Sequence, residues 1–201
     1  AAVKAKFLME PFPHVLMEDY YTRDEWSACM DELRRIDHHL LPPEYSGAAR
    51  HPVTNQVMKF NSGLFLTEAM PNADLIKFGR KHMYNELIDQ IDCLWWEGQW
   101  RFNNAQSWMI SKYVDGQYYN AHPDNSQFTM LIWLHKEPKP FTGGDLVFHQ
   151  FDNYTVPCNN NTGIIFYGPT RHEVPPVKGT GRYCLTCFTS CQNQALQPYK
   201  K

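Results

Sequence analysis

The sequence predicts an α+β fold that is mostly β, a β-sandwich or barrel with helices packed on one outer face. From Asn104 onward, short runs rich in aromatic and β-branched residues alternate with turns marked by glycine and proline. Many short strands with regular turns favour a sandwich or barrel. The chain has 201 residues, 43% of them hydrophobic, which suits one domain, with helical support over residues 1–103 and a core over 104–191.

A capped helix is predicted near the start of the chain. Thr22 and Glu25 form a capping box, in which each side chain can bond the backbone amide of the other. Apolar residues then recur at helical spacing at Trp26, Met30, Leu33 and Ile36. Pro42 and Pro43 end the pattern, because proline has no backbone donor and restricts the residue before it.

Three further elements are predicted before the core. Residues 42–57 contain several prolines and a glycine and form an exposed loop, either a mobile lid over a substrate or an ordinary connection. Residues 58–67 are predicted as a strand. Residues 72–95 carry apolar positions at a helical period and are predicted as one helix, weakened locally at Gly79.

Six strands are predicted in the core, at residues 105–114, 128–135, 146–151, 163–167, 173–177 and 182–190. Gly143 and Gly144 are expected to let a turn adopt positive φ. In the last strand, Cys184 and Cys187 are three residues apart and therefore point to opposite faces, as packed strand residues. The six cysteines of the chain have irregular spacings, and we interpret them as free thiols in a reducing, cytoplasmic compartment.

Charge and hydropathy disfavour two classes of partner. The net charge is −2 and the isoelectric point is near 6.5, without the basic stripe that a nucleic-acid binder usually carries. No stretch approaches the roughly 18 consecutive apolar residues of a membrane span. We therefore expect neither nucleic acid nor a membrane as a partner, and the sequence does not indicate the oligomeric state.

The most informative residues are His122 and Asp124, at the end of a predicted strand. Residues i and i+2 of an extended strand project to the same face, so this imidazole and this carboxylate can converge on one point. A second imidazole, His172, is expected from a distant strand placed opposite in the double sheet. Two histidines and one carboxylate on one side of a metal are the ligand set of non-haem Fe(II) oxygenases. Arg182 follows and could hold a dicarboxylate cosubstrate.

A longer series surrounds these four residues between about 105 and 190. Its members are Tyr113, Gly116, Tyr119, His122, Asp124, Asn125, Thr129, Gly143, Gly144, Leu146, His172, Glu173, Val174, Pro176, Arg182, Tyr183, Thr186 and Phe188. This series resembles the 2-oxoglutarate- and Fe(II)-dependent dioxygenases of the prolyl 4-hydroxylase superfamily, and within it the intracellular prolyl hydroxylases of the hypoxia-factor type. The resemblance implies a double-stranded β-helix, which is a jelly-roll or cupin-like barrel.

The same resemblance implies a set of catalytic residues and cofactors. His122, Asp124 and His172 would bind Fe(II), and 2-oxoglutarate would chelate the metal through its C1 carboxylate and keto oxygen. Arg182 would pair with the distal C5 carboxylate. Dioxygen would be the second cosubstrate, with ascorbate as a reductant.

Four further residues receive roles from the resemblance. Tyr113 would donate a hydrogen bond to the cosubstrate, and Thr129 would help at the far end of that molecule. Tyr119 and Asn125 would lie on the substrate side. Each tyrosine also has an ordinary interpretation, Tyr113 as a packed strand residue and Tyr119 as an exposed loop aromatic.

The implied activity is hydroxylation of an unactivated C–H bond, in a prolyl residue of a protein or peptide, with succinate and carbon dioxide as co-products. A carboxylate at Asp124 excludes halogenation, since halogenating relatives need that position free for a halide. Two alternatives stay open: a hydroxylase of a free amino acid or small molecule, and a metal-binding jelly roll without oxygenase activity. A nucleic-acid demethylase is disfavoured, because Phe188 stands where its second arginine would be.

Overall fold

The computed structural model of the protein describes residues 3–45 and 50–191. It contains fourteen strands within these residues. In chain order they are β1 Lys4–Leu8, β2 His14–Glu18, β3 Lys59–Phe60, β4 Ser62–Phe65, β5 Ala105–Tyr113, β6 Tyr118–His122, β7 Phe128–Leu134, β8 Phe141–Gly143, β9 Leu146–Phe148, β10 Tyr154–Val156, β11 Thr162–Tyr167, β12 His172–Val174, β13 Val177–Gly179 and β14 Arg182–Ser190. The helices are α1 Arg23–Ile36, α2 Leu66–Ala69, α3 Asp74–Lys81, α4 Asn85–Ile88 and α5 Leu94–Arg101.

The strands form two main sheets in which every neighbouring pair is antiparallel. The larger sheet has the order β1-β2-β11-β7-β14-β5-β4, and the smaller has the order β10-β9-β12-β6-β3. Strands β13 and β8 form a separate pair. Within the described residues, the two sheets do not join into one closed hydrogen-bonded barrel.

The alternation of side chains along β7 shows how the layers are stacked. Met130, Ile132 and Leu134 belong to a core shared with the helices. Leu131 and Trp133 point the other way, into a core shared with the smaller sheet. Because successive strand residues face opposite sides, the larger sheet is covered by helices on one face and by the smaller sheet on the other.

The predicted capping box at the start of α1 is present. The Glu25 amide donates to the Thr22 hydroxyl (3.3 Å), and the Thr22 amide donates to the Glu25 carboxylate (2.9 Å). Glu25 also accepts hydrogen bonds from Lys81 (3.0 Å) and from the His82 ring (2.8 Å), so it ties α1 to the end of α3. Burial alone would raise the pKa of Glu25, but these hydrogen bonds outweigh it and lower the pKa to about 2.

The prediction of one helix over residues 72–95 is wrong, because α3, α4 and α5 are separate. Neither break contains proline or glycine, so the local sequence carries no stop signal. The first break is stabilised by tertiary bonds instead, since the Met83 carbonyl accepts a hydrogen bond from the Trp100 ring (2.7 Å). Gly79 remains helical, and a Cβ there would lie 2.8 Å from the Trp108 ring, so glycine permits close packing of α3 on β5.

Three of the predicted strand boundaries also need correction. Residues 58–67 form two short strands followed by α2, and residues 146–151 leave the sheet after Phe148. Residues 173–177 are divided between β12 and β13 by Pro175 and Pro176, which cannot donate to a sheet. The strand Arg182–Ser190 has the predicted bounds, with Cys184 and Cys187 in different cores.

Some predictions concern features that the structure addresses only in part. Residues 46–49 of the predicted 42–57 loop lie outside the described residues. All six cysteines are free thiols. None of the described helices has the length and apolarity needed to cross a membrane. The single-domain assignment and its division at residue 103 remain predictions.

Candidate active site

Two histidines and one carboxylate meet at the end of the smaller sheet. His122 and His172 are direct cross-strand partners on β6 and β12. Asp124 lies just beyond the end of β6, with its two carboxylate oxygens 3.5 Å from His122 Nε2 and 3.4 Å from His172 Nε2. The three potential ligand atoms lie within 4.8 Å of one another. His172 thus comes from a strand that is distant in sequence and is the direct neighbour of β6 in the same sheet.

Both imidazoles are oriented by the same backbone contact. His122 Nδ1 lies 2.6 Å from the Asn120 carbonyl oxygen, and His172 Nδ1 lies 2.8 Å from the Thr170 carbonyl oxygen. A carbonyl can only accept, so each Nδ1 carries the proton and donates. This tautomer leaves both Nε2 atoms with a free lone pair, as a metal ligand requires.

Burial keeps these imidazoles neutral. It lowers the pKa of His172 to about 4, and burial together with the nearby His172 lowers the pKa of His122 to about 4. Neutral imidazole is the form that binds a metal ion. At neutral pH the two histidines are therefore in their ligand form.

Asp124 is held by its backbone and by a buried hydroxyl. Its amide donates to the Gly168 carbonyl (2.9 Å), and the Thr129 hydroxyl donates to its carboxylate (2.7 Å). Gly168 is needed here, because a Cβ would lie 2.1 Å from the Ser126 carbonyl oxygen. Burial raises the pKa of Asp124, which His122 and the Thr129 hydrogen bond oppose. Thr129 thus lies beside the carboxylate, and its role toward the cosubstrate remains a prediction.

A cavity of about 150 Å³ opens next to the three residues and reaches between the two sheets. Two imidazole nitrogens and one carboxylate on one side of this cavity fit a ferrous ion and leave other coordination positions open. Besides His122, Asp124 and His172, the lining residues are Lys59, Phe65, Met109, Ser111, Tyr113, Tyr119, Leu131, Leu146, Val174, Arg182, Cys184, Thr186 and Phe188.

Arg182 supplies a buried cation to this cavity. Its side chain is almost fully enclosed, at 1% exposure, and its Nε donates to the Gly144 carbonyl oxygen (2.9 Å). Both terminal nitrogens are buried without a hydrogen-bond partner among the described residues. Two parallel unpaired donors on a permanent cation match the geometry of a carboxylate. The predicted dicarboxylate anchor therefore has suitable donors in the structure.

Tyr113 and Gly144 hold the guanidinium in place. Tyr113 is the cross-strand partner of Arg182, and the guanidinium lies 4.6 Å above the centre of its ring. Gly144 has φ of +73°, and a Cβ there would lie 2.9 Å from the Arg182 side chain. The positive φ predicted for Gly143 and Gly144 is confirmed. Burial raises the pKa of Tyr113 to about 12, so its hydroxyl stays protonated and can donate.

Tyr119 and Asn125 lie where the triad meets the surface. The Tyr119 ring stacks on the His122 ring, with centres 3.5 Å apart. Asn125 is exposed and lines an outer groove that shares Tyr119, Asp124 and Phe188 with the cavity. These positions suit contact with a substrate, and the roles themselves remain predictions.

Sequence reasoning missed Lys59, which lines the cavity and is only 4% exposed. The residue stands in the predicted strand 58–67, but strand alternation alone does not tell which face turns inward. No local signal identifies the inward face, because the usual preference would bury the phenylalanine and expose the lysine, and the structure shows the opposite.

The two-histidine, one-carboxylate site in this double antiparallel sheet has the ligand set of the non-haem Fe(II) oxygenases. Residues 108–190 match the model of the 2OG-Fe(II) oxygenase superfamily. The matched segment contains the three metal-site residues and Arg182, and the match agrees with the ligand set seen in the structure. No curated protein matches the chain at a significant level.

Three solved structures share the fold. A prolyl hydroxylase from Trichoplax adhaerens, in complex with a hypoxia-inducible-factor peptide fragment, superposes with a TM-score of 0.61 at 12% identity, covering 93% of this chain and 87% of that one. A Pseudomonas putida prolyl-4-hydroxylase superposes with a TM-score of 0.58 at 18% identity, covering 88% of this chain and 92% of that one. The viral collagen prolyl hydroxylase of Paramecium bursaria Chlorella virus-1, in a 2OG complex, superposes with a TM-score of 0.55 at 12% identity, covering 88% of this chain and 94% of that one. The predicted jelly-roll fold is thereby confirmed.

Proposed function

We propose that the protein hydroxylates an unactivated C–H bond of a prolyl residue in a protein or peptide, with succinate and carbon dioxide as co-products. The observation that carries the oxygenase part of this proposal is Arg182. Its two buried, unpaired nitrogens share one cavity with the His122, Asp124 and His172 cluster. A metal-dependent hydrolase has no use for a buried dicarboxylate anchor, whereas an oxygenase that consumes 2-oxoglutarate requires one.

The residues divide into a metal side and a cosubstrate side. His122, Asp124 and His172 would hold Fe(II), which supplies dioxygen activation when bound. Arg182 would bind the distal carboxylate of 2-oxoglutarate through two parallel hydrogen bonds. The protonated Tyr113 hydroxyl would donate a further hydrogen bond to the cosubstrate. The enclosing sheets would exclude water from the reacting atoms.

The substrate side is supported by the outer groove next to Asp124. The groove is lined by residues of β5 and β14 as well as by Tyr119 and Asn125, and it is open to solvent. An open groove that meets the metal site can accept one residue of an extended chain while the rest of the peptide stays outside. The Trichoplax neighbour carries a bound peptide, which agrees with this kind of substrate. We also propose a cytoplasmic location, because the six cysteines are free thiols.

The test has two stages. The protein is first incubated with Fe(II), 2-oxoglutarate and ascorbate in air, and succinate is measured with and without proline-containing peptide libraries. Products are then analysed for a mass increase of one oxygen atom that depends on 2-oxoglutarate. Succinate with a hydroxylated peptide supports the proposal. Hydroxylation of free proline or another small molecule, but of no peptide, would favour the small-molecule alternative. Absence of succinate from metal-loaded protein would refute the oxygenase assignment.

A further inference from the structure

A lysine points into the cavity from the edge strand of the smaller sheet. In β3, Lys59 is 4% exposed whereas its neighbour Phe60 is 42% exposed. The strand register pairs Lys59 with Tyr119 of β6, and strand alternation then turns the lysine inward and the phenylalanine outward. This arrangement reverses the usual preference of both residue types.

The Lys59 ammonium has few polar partners in the structure. Its hydrogen-bond partner among the described residues is the Met109 sulfur at 3.7 Å, and it lies 5.9 Å from the centre of the Tyr119 ring. Among residues 3–45 and 50–191, no carboxylate lies within 4.0 Å of it. A thioether is a weak acceptor, and an ammonium carries three donors. Most of the hydrogen-bonding capacity of Lys59 is therefore unused.

This environment is unfavourable for a cation as long as no ligand is bound in the cavity. Transfer of an ammonium group from water into a protein interior costs several kcal/mol unless the group is paired. Burial accordingly lowers the pKa of Lys59, against the opposing effect of the Asp124 carboxylate. Residues that break the folding rules without a compensating contact are concentrated at functional sites. A bound anion would supply the missing contact.

We propose that Lys59 binds a carboxylate group next to the metal site, separate from the carboxylate held by Arg182. The two cations line the same cavity on different sheets, since Lys59 lies on β3 and Arg182 on β14. The carboxylate has two possible sources, the C1 carboxylate of 2-oxoglutarate and a free carboxylate of the substrate. The inference rests on the proposed function for the identity of the cosubstrate, but its physical basis is the lysine alone.

The experiment compares four proteins: wild type, Lys59→Met, Lys59→Arg and the control Lys178→Met, which removes an exposed strand lysine. Each is loaded with Mn(II) without oxygen, so that binding is measured apart from turnover. Calorimetry first gives the affinity for 2-oxoglutarate. With 2-oxoglutarate present, it then compares L-proline, which has a carboxylate, with L-prolinamide, which does not.

If Lys59 binds the cosubstrate, Lys59→Met weakens 2-oxoglutarate binding about ten- to a hundredfold, as expected for loss of one charge-assisted hydrogen bond. If it binds the substrate, 2-oxoglutarate affinity is retained, and the preference of wild type for L-proline over L-prolinamide disappears in Lys59→Met. Lys59→Arg keeps the positive charge and should retain part of the wild-type affinity or preference. Lys178→Met should change neither the 2-oxoglutarate affinity nor the preference for L-proline. The proposal would be overturned if Lys59→Met leaves the 2-oxoglutarate affinity and the preference for L-proline both unchanged. It would also be overturned if Lys59→Met leaves the 2-oxoglutarate affinity unchanged and none of the four proteins prefers L-proline to L-prolinamide.

Thermal unfolding of the metal-free proteins separates ligand binding from a structural role. Removal of a buried, unpaired cation should leave the melting temperature unchanged or raise it. A lower melting temperature together with unaltered ligand binding would make Lys59 a packing residue and overturn the proposal. Wild-type protein that fails to bind 2-oxoglutarate would refute the proposed function, and the L-proline comparison would still decide the role of Lys59.

Discussion

Replacement of Arg182 by methionine tests the cosubstrate anchor most directly. The two terminal nitrogens of Arg182 have no partner among the described residues, so both are free to bond a ligand. A hydrogen bond to a charged group contributes about 1.5–3 kcal/mol, so a bidentate pair contributes about 3–6 kcal/mol. Since 1.4 kcal/mol is tenfold in affinity, Arg182→Met should weaken 2-oxoglutarate binding roughly a hundred- to ten-thousandfold.

The assay is calorimetric titration of 2-oxoglutarate into Mn(II)-loaded protein without oxygen. Metal affinity should stay within a few-fold of wild type, because no hydrogen bond or ion pair joins Arg182 to the three metal-site residues. Arg182→Lys should retain part of the binding, as a point charge without the fork geometry. Arg34→Met, at an exposed ion pair on α1, is the matched control. Equal 2-oxoglutarate affinity in Arg182→Met and wild type would refute the anchor assignment.

Three other substitutions test the metal site and the helical support. Asp124→Ala should abolish hydroxylation, and oxygenated product by mass spectrometry would remove Asp124 from the ligand set. Thr129→Val deletes the hydroxyl that donates to Asp124 and should lower metal affinity about tenfold or more in a chelator competition, with little change in melting temperature. Glu25 has a pKa of about 2 in the fold against an ordinary value of 4.5, so its carboxylate stabilises the protein above pH 4.5 and this stability is lost as pH falls toward 2. Glu25→Gln should therefore lower the free energy of unfolding by about 2–3 kcal/mol at neutral pH, and by progressively less at acid pH. Urea titrations at several pH values measure this difference, and an equal loss at pH 7 and pH 3 would contradict the prediction.

The predictions from sequence were best where a local pattern has one physical solution. The capping box at Thr22 and the strand Arg182–Ser190 were located by residue type and alternation alone. The breaks between α3, α4 and α5 were missed, because they are set by distant partners such as the Trp100 ring and not by local residues. Strand β6 was recognised only at its end, where His122 stands.

The candidate site shows the same division. The order of His122, Asp124, His172 and Arg182 indicated an Fe(II) oxygenase, and the structure brings the first three together around one point. The order of these residues in the sequence could not indicate that the two histidines are cross-strand partners, because strand order is decided by how the sheets pack. Lys59 was missed for a related reason, since the inward face of a two-residue edge strand depends on its partner strand.

The amino-acid sequence by itself determined the chemistry of this protein, since the types and order of its polar residues specify which donors and charges are present. Only the tertiary structure decided which of them face the cavity and which remain unpaired there. The reason is that side-chain direction in a strand alternates with every residue, so a shift of one position in register reverses the face. Register is fixed by contacts between segments far apart in the chain, and these contacts exist only once the two sheets have packed.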